Sequence, residues 1–200
     1  MKNNQVKYLL FDFLALAILM ALIPFFISID ITVLKNELSE ISITEFMQEF
    51  FILISAIIFY KASSKEPESK GIFILLAGLF TMMFIREGDY YLDTIFHGFW
   101  KLPVAIVLIA TLYYAFKNKT TIFKPLLTHS QTKKFTYILI GFLIIIIFSR
   151  LFGTGNLWRD IMGDNYHHLY KTVIQEGLEL FGYSLVFYGS MLFWFRRDND

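Results

Sequence analysis

Apolar residues fall into six long runs separated by short polar segments. A helix needs about 20 mostly apolar residues to cross about 30 Å of hydrocarbon. The runs cover about 8–29, 45–60, 71–92, 99–116, 136–152 and 171–195. They predict an all-α polytopic membrane bundle of about six transmembrane helices, with no room for a separate soluble domain. The first run is longer than a signal-peptide core, Asp12 interrupts its start, and no small-residue cleavage site follows Pro24. It reads as a retained helix.

Composition agrees with the pattern. Of 200 residues, 56% are hydrophobic and 18% are charged. Charged residues make up about 25% of an average soluble domain. The formal net charge of +1 gives no basis for nucleic-acid binding. The chain has no cysteine, which excludes disulfides, thiolate metal sites and cysteine nucleophiles.

Basic residues set the expected orientation. With the N-terminus inside, the inner side receives Lys2, Lys7, Lys61, Lys65, Lys70, Lys117, Lys119, Lys124, Lys133, Lys134, Arg196 and Arg197. Both termini are then cytoplasmic, in a plasma membrane (the inner membrane of a bacterium). Trp100 and Trp158 fall at the outer interface and Trp194 at the inner one, as an aromatic belt requires. His129 falls in the basic inner loop and is expected to be solvent exposed. Acids show the opposite bias, which topology does not explain. His97, His167 and His168 are also on the outer side.

Depth separates a solvated charge from a buried one. The apolar run of the third span ends at Ile85, so Arg86 and Glu87 must lie within it, Arg86 roughly 7–10 Å below the outer surface. Arg150 reaches a similar depth in the fifth span. Glu49 lies about one turn inside the second span, and Glu176 and Glu179 one to two turns inside the sixth. Ionisable groups at this depth need partners in the bundle interior. Helical spacing puts His168, Thr172, Gln175, Glu176, Glu179 and Tyr183 on one face of the sixth helix. Arg86, Asp89, Tyr90, Asp93 and His97 share a face of the third if it continues past Gly88. Glu45, Gln48 and Glu49 form a short face on the second. These faces predict an outward-facing polar pocket, with the start of the fourth span beside it. Arg86 is expected to pair with Glu179, ahead of Glu87 and Glu176. Arg150 is open to a second fate, snorkelling to the headgroups.

Three functions use these residues differently. A membrane-embedded enzyme acting on a lipid or amphiphile would use Glu176, Glu179, Glu87 and Arg86 as catalytic groups. Glu49, Gln48, Gln175, Arg150, Tyr90 and Tyr183 would bind its substrate. His97, His168, Asp89 and Asp93 would be ligands for zinc or another divalent cation, although no metal-binding spacing such as H-E-x-x-H is present. A small ion- or proton-coupled transporter would use the same acids as a relay, and six helices would then favour a homo-oligomer. The apolar inner halves of the spans show no continuous polar pathway. A non-catalytic sensor would bind a ligand or lipid in the same place. Membrane lipids are the expected partners in every case. Ser149, Ser184 and Ser190 lie outside any nucleophile-elbow context, and with Gly182 and Gly189 they read as small packing residues. The Gln48-Glu49 and Gln175-Glu176 pairs, each followed by an apolar helix, suggest a weak internal similarity.

Overall fold

The structure, a computed structural model, describes residues 2–195, with side chains from Val6 onward. Arg196 and Arg197 of the charge argument lie outside the described residues. Within them the chain is helical and contains no strand. Helix α1 (Lys2–Ser28) continues as a π-helical segment, Ile29–Leu34. It is followed by α2 (Ile43–Lys65), α3 (Lys70–Glu87), α4 (Lys101–Lys117) and a short α5 (Phe123–Ser130). Helix α6 starts at Lys133, passes through a π-helical stretch at Ile144–Phe148 and ends at Phe152. A short α7 (Gly155–Met162) precedes the long α8 (His168–Phe195).

Among the described residues, five helical runs are long and apolar enough to cross a membrane: Val6–Leu34, Ile43–Lys65, Pro67–Glu87, Lys133–Phe152 and His168–Phe195. Helix α4 is shorter, with 17 residues, or about 26 Å at 1.5 Å per residue.

Interhelical contacts fix the running directions. Asp12 meets Tyr188, and Ile27 lies against Gly177, so α1 and α8 are antiparallel. Phe59 packs on Phe73 while Glu49 lies near Gly88, so α2 and α3 are antiparallel. Gly71 approaches the Asn118 carbonyl and Gly78 approaches Thr111, so α4 runs back along α3. Gly189 meets the Lys134 carbonyl and Gly153 meets Gln175, so α6 opposes α8. Gln48 touches Glu176 and Phe59 touches Phe193, which makes α2 and α8 parallel. Helices α3 and α6 therefore run in the same direction, and α4 carries the chain back between them. The start of α1 and the end of α8 lie at one end of the bundle.

Small residues allow these approaches. A Cβ added at Gly141 would sit 2.5 Å from the Gly182 carbonyl oxygen, and one at Gly182 would sit 2.8 Å from that of Gly141. Backbone contacts of this kind are how membrane helices pack closely. Ser149, Ser184 and Ser190 donate to carbonyls one turn back, at Ile145, Phe181 and Val186. This fits the packing role expected of them. The apolar core is formed by α2, α3 and α8, with Ile138 and Ile145 from α6. Phe59 lies at its centre, 5.3–5.8 Å from the rings of Phe73, Phe80 and Phe193. The most apolar stretch of α1 has no buried share, and α4 buries only Thr111 and Ala115. These helices present side chains suited to lipid.

Several expectations need correction. The third helix does not continue to residue 92. Gly88 takes φ −81°, ψ 19°, its N–H closes onto Phe84, and only the single turn Asp89–Leu92 follows. Glycine's low helix propensity favours a stop at this position. The second helix runs to Lys65, more than a turn beyond residue 60. The connections after α4 and after α6 contain the short helices α5 and α7 rather than irregular loop alone. His129 on α5 is buried, not solvent exposed. Its Nε2 lies 3.1 Å from the Ser69 hydroxyl, and its ring packs on Phe73 and Phe193.

Candidate functional site

The acidic end of the bundle is anchored by Asp30. It is fully buried and accepts from the backbone N–H groups of Ile43 and Thr44, the Thr44 hydroxyl and the Asn36 amide, at 2.7–3.0 Å. An acid on the free N–H groups of a helix start satisfies donors that have no intrahelical partner. Ser42 adds a cap by accepting from Glu45 N at 3.1 Å. Together they fix the first turn of α2 and the position of Glu45.

The polar face of α8 meets this turn. Gln48 is fully buried, and its Nε2 donates to Glu176 Oε2 at 3.2 Å and to the Glu176 carbonyl at 3.4 Å. The Glu45 and Glu176 carboxyl groups lie next to each other. One turn further along α8, the Glu179 side chain is only 3% exposed. It accepts from Gln175 Nε2 at 3.1 Å and lies 3.5 Å from the Arg150 guanidinium. Ser149 also reaches it. Another turn along, the buried Tyr183 hydroxyl donates to Glu87 Oε1 at 2.8 Å. Glu49 lies over the break at Gly88.

The structure thus brings together Gln48, Glu87, Arg150, Gln175, Glu176, Glu179 and Tyr183, with Glu49 and Arg86 at the edge. Side chains from α2, α3, α6 and α8 meet at one level. Sequence reasoning put Glu45 on the pocket-forming face of the second span, beside Gln48 and Glu49, but gave it no role. It also read Ser149 only as a packing residue and Asp30 only as an outer acid. The contact between Gln48 and Glu176 sets the two Gln-Glu pairs side by side on parallel helices.

The expected pairing is corrected. Arg86 lies 3.5 Å from Asp89, its neighbour one turn on, and Glu179 takes Arg150 instead. Arg86 remains in the field of Glu87 and Glu179. Arg86 and Asp89 stand at the i, i+3 spacing of neighbours on one helix face, so the closer local partner takes the guanidinium.

The four proposed metal ligands do not converge. His97 is fully exposed and lies 3.3 Å from Asp93, beyond the end of α3. His168 lies on α8 beside Thr172, and Asp89 is held by Arg86. Among the described residues, no group of three His, Cys, Asp or Glu side chains is arranged to hold a metal ion. Tyr90 is exposed, and its ring packs against Tyr91, away from the cluster. Lys101, at the start of α4, lies over Trp100.

Below the cluster the buried residues are mainly apolar: Phe51, Ile52, Phe80, Leu180 and Val186. The buried Ser55 hydroxyl bonds its own helix backbone, at Phe51. Among the described residues, the buried polar groups beyond the cluster are hydroxyls and His129, and one carboxylate, the part-buried Asp12, accepts from Tyr188.

Comparison with known proteins found no matching family model, no matching curated protein and no matching solved structure.

Proposed function

We propose that the chain is a six-crossing plasma-membrane protein, with both termini cytoplasmic, that receives the headgroup of a lipid or other amphiphile at its acidic end. The antiparallel course of α4 along α3 supports the sixth crossing, and the lysine distribution supports the orientation. One observation carries the site: carboxylates and arginines from four helices meet near one end of a bundle whose core is mainly apolar. Such groups are costly in a membrane and default to function. Binding is the role the geometry favours over zinc-assisted hydrolysis, because the histidines lie apart. It is favoured over transport because the layer beneath is apolar.

Topology is tested with single cysteines at exposed positions of a chain that has none. Ser39→Cys and Asn156→Cys should react with an impermeant thiol reagent added outside intact cells, and Gln131→Cys should not. The reverse pattern would move the site to the cytoplasmic face. Headgroup binding is tested by native mass spectrometry of the full chain released from mild detergent. One phospholipid should be retained per chain and lost from Arg150→Ala. A lipid-free spectrum for the wild-type chain across all lipids supplied would overturn the reading.

A further inference from the structure

The amide of Gln48 has only one chemically sensible orientation. Its Nε2 points at two acceptors, the Glu176 carboxylate and the Glu176 carbonyl. Turning the amide over would set its oxygen against both. Its Oε1 is consequently an acceptor, and it is buried with no hydrogen-bond partner. Buried acceptors are nearly always satisfied in native proteins. Beside it, the Glu45 and Glu176 carboxyl groups face each other. The unpaired oxygen belongs to the same amide that donates to Glu176, so it lies beside the two acids, and two carboxyl groups this close cannot both be ionised unless a positive charge joins them.

We propose that Glu45, Glu176 and Gln48 Oε1 bind a primary ammonium, that of an ethanolamine-type phospholipid whose phosphate lies against Arg86 and Arg150. This rests on the headgroup-binding reading above and names the headgroup. A primary ammonium carries three N–H donors and no acceptor, which matches three acceptor side chains. A quaternary ammonium has no N–H to give. The arginines supply the other half of a zwitterionic headgroup. Their side chains are 43% and 46% exposed, and each makes one carboxylate contact at 3.5 Å. A guanidinium has five donors and suits phosphate, so both retain binding capacity. A bare metal ion is the weaker occupant, because no set of three acidic or histidine ligands is assembled.

The test uses the full-length chain in detergent, stripped of lipid and titrated with phosphatidylethanolamine, phosphatidylcholine or phosphatidylglycerol of identical acyl chains. Binding is read by native mass spectrometry and by thermal shift. Phosphatidylethanolamine should bind about tenfold more tightly than phosphatidylcholine, the discrimination expected when a buried acceptor is left unpaired. Gln48→Leu should abolish that preference. Glu45→Gln should weaken it, and serves if the leucine variant does not fold. Equal binding of the ethanolamine and choline lipids would overturn the ammonium assignment and leave headgroup binding standing. Stabilisation by sodium or calcium chloride alone, with no headgroup preference, would replace the ammonium with a metal ion and overturn the proposal. No lipid binding of any kind would overturn both readings.

Discussion

The two ends of the bundle handle charge in opposite ways. At the acidic end, carboxylates turn inward. Glu45 and Glu176 meet each other, Glu87 meets Tyr183, and Glu179 is buried against Arg150 and Gln175. At the basic end, lysines turn outward over aromatic rings. Lys65 Nζ sits 3.6 Å from the centre of the Trp194 ring, Lys117 lies 4.5 Å from Tyr113 and Lys119 lies 5.2 Å from Phe116. A lysine on an interfacial ring keeps its head in water and its stem on apolar surface. The contacts of Lys117 and Lys119 are local to their own stretch of chain, while Lys65 reaches from α2 to a ring on α8 at the surface. The acids instead depend on partners from other helices. The basic end is what topology and solubility at an interface require, whereas the acidic end exceeds that requirement. The site is assigned there for that reason.

The sharpest way to break this contrast is to remove one partner at the acidic end. Arg150→Ala should destabilise the protein by about 2–3 kcal/mol, below the 3–5 of a fully buried pair because the guanidinium is half exposed. Adding Glu179→Gln should recover part of the loss. Thermal unfolding of the four members of the cycle, in detergent and in nanodiscs, gives the coupling. Strictly additive losses would mean that Arg150 reaches the headgroup region without serving Glu179. The same cycle on Arg86 and Glu179 should show weaker coupling, because Arg86 is held by Asp89.

Tyr183→Phe comes next. It removes a buried hydroxyl that donates to a carboxylate, at a cost of about 1.5–3 kcal/mol. Circular dichroism melts would measure it. A neutral result would mean that Glu87 finds another donor at once, and that this part of the cluster is less ordered than the distances imply.

At the opposite end, Ser69→Ala should cost about 1 kcal/mol by removing the hydroxyl beside His129 Nε2. The basic end also contains a buried polar contact, so this variant tests how far the contrast extends. A loss as large as that of Tyr183→Phe would show the contrast to be one of sign and number rather than of energetic dependence.

The sequence carried the helical class, most span positions and the level of the acids because those follow from hydropathy and a fixed rise per residue. Gln48, Glu176, Glu179 and Tyr183 were legible as one site because each is polar within an apolar run. What failed depended on local backbone. A face running from Arg86 to His97 required helix through Gly88; the helix stops there, so Asp89 still meets Arg86 but Asp93 and His97 pair with each other apart from the cluster. Arg150 could not be told from a snorkelling residue, because the outcome is set by which way the Ile144–Phe148 segment turns it. That segment is π-helical, and an extra residue in a turn rotates every side chain after it. His129 was missed for another reason. A polar residue in a basic connection looks solvated, and only the fold of α5 onto Ser69 and Phe193 buries it.

The smallest effect expected is at Lys65. Its ammonium lies over Trp194, with Lys61 Nζ 5.9 Å from the same ring. An exposed cation–π contact contributes about 0.5–1 kcal/mol, and the second lysine supplies part of that if the first is removed. Lys65→Ala should therefore lower stability by about 0.5 kcal/mol, at the lower end of that range. It should leave lipid retention at the acidic end unchanged. Its effect on insertion should be more visible, because topology responds to lysines near span ends rather than to their contacts. Combining Lys61→Ala, Lys65→Ala and Lys70→Ala removes the basic residues flanking the α2–α3 connection while leaving every acid in place. If lysines direct the chain and acids form the site, cysteine labelling at position 39 should become mixed between the two sides. Chains that insert correctly should still bind lipid like the wild type. Uniform labelling with lost lipid binding would place the two ends in direct energetic contact, and the division of labour between them would fall.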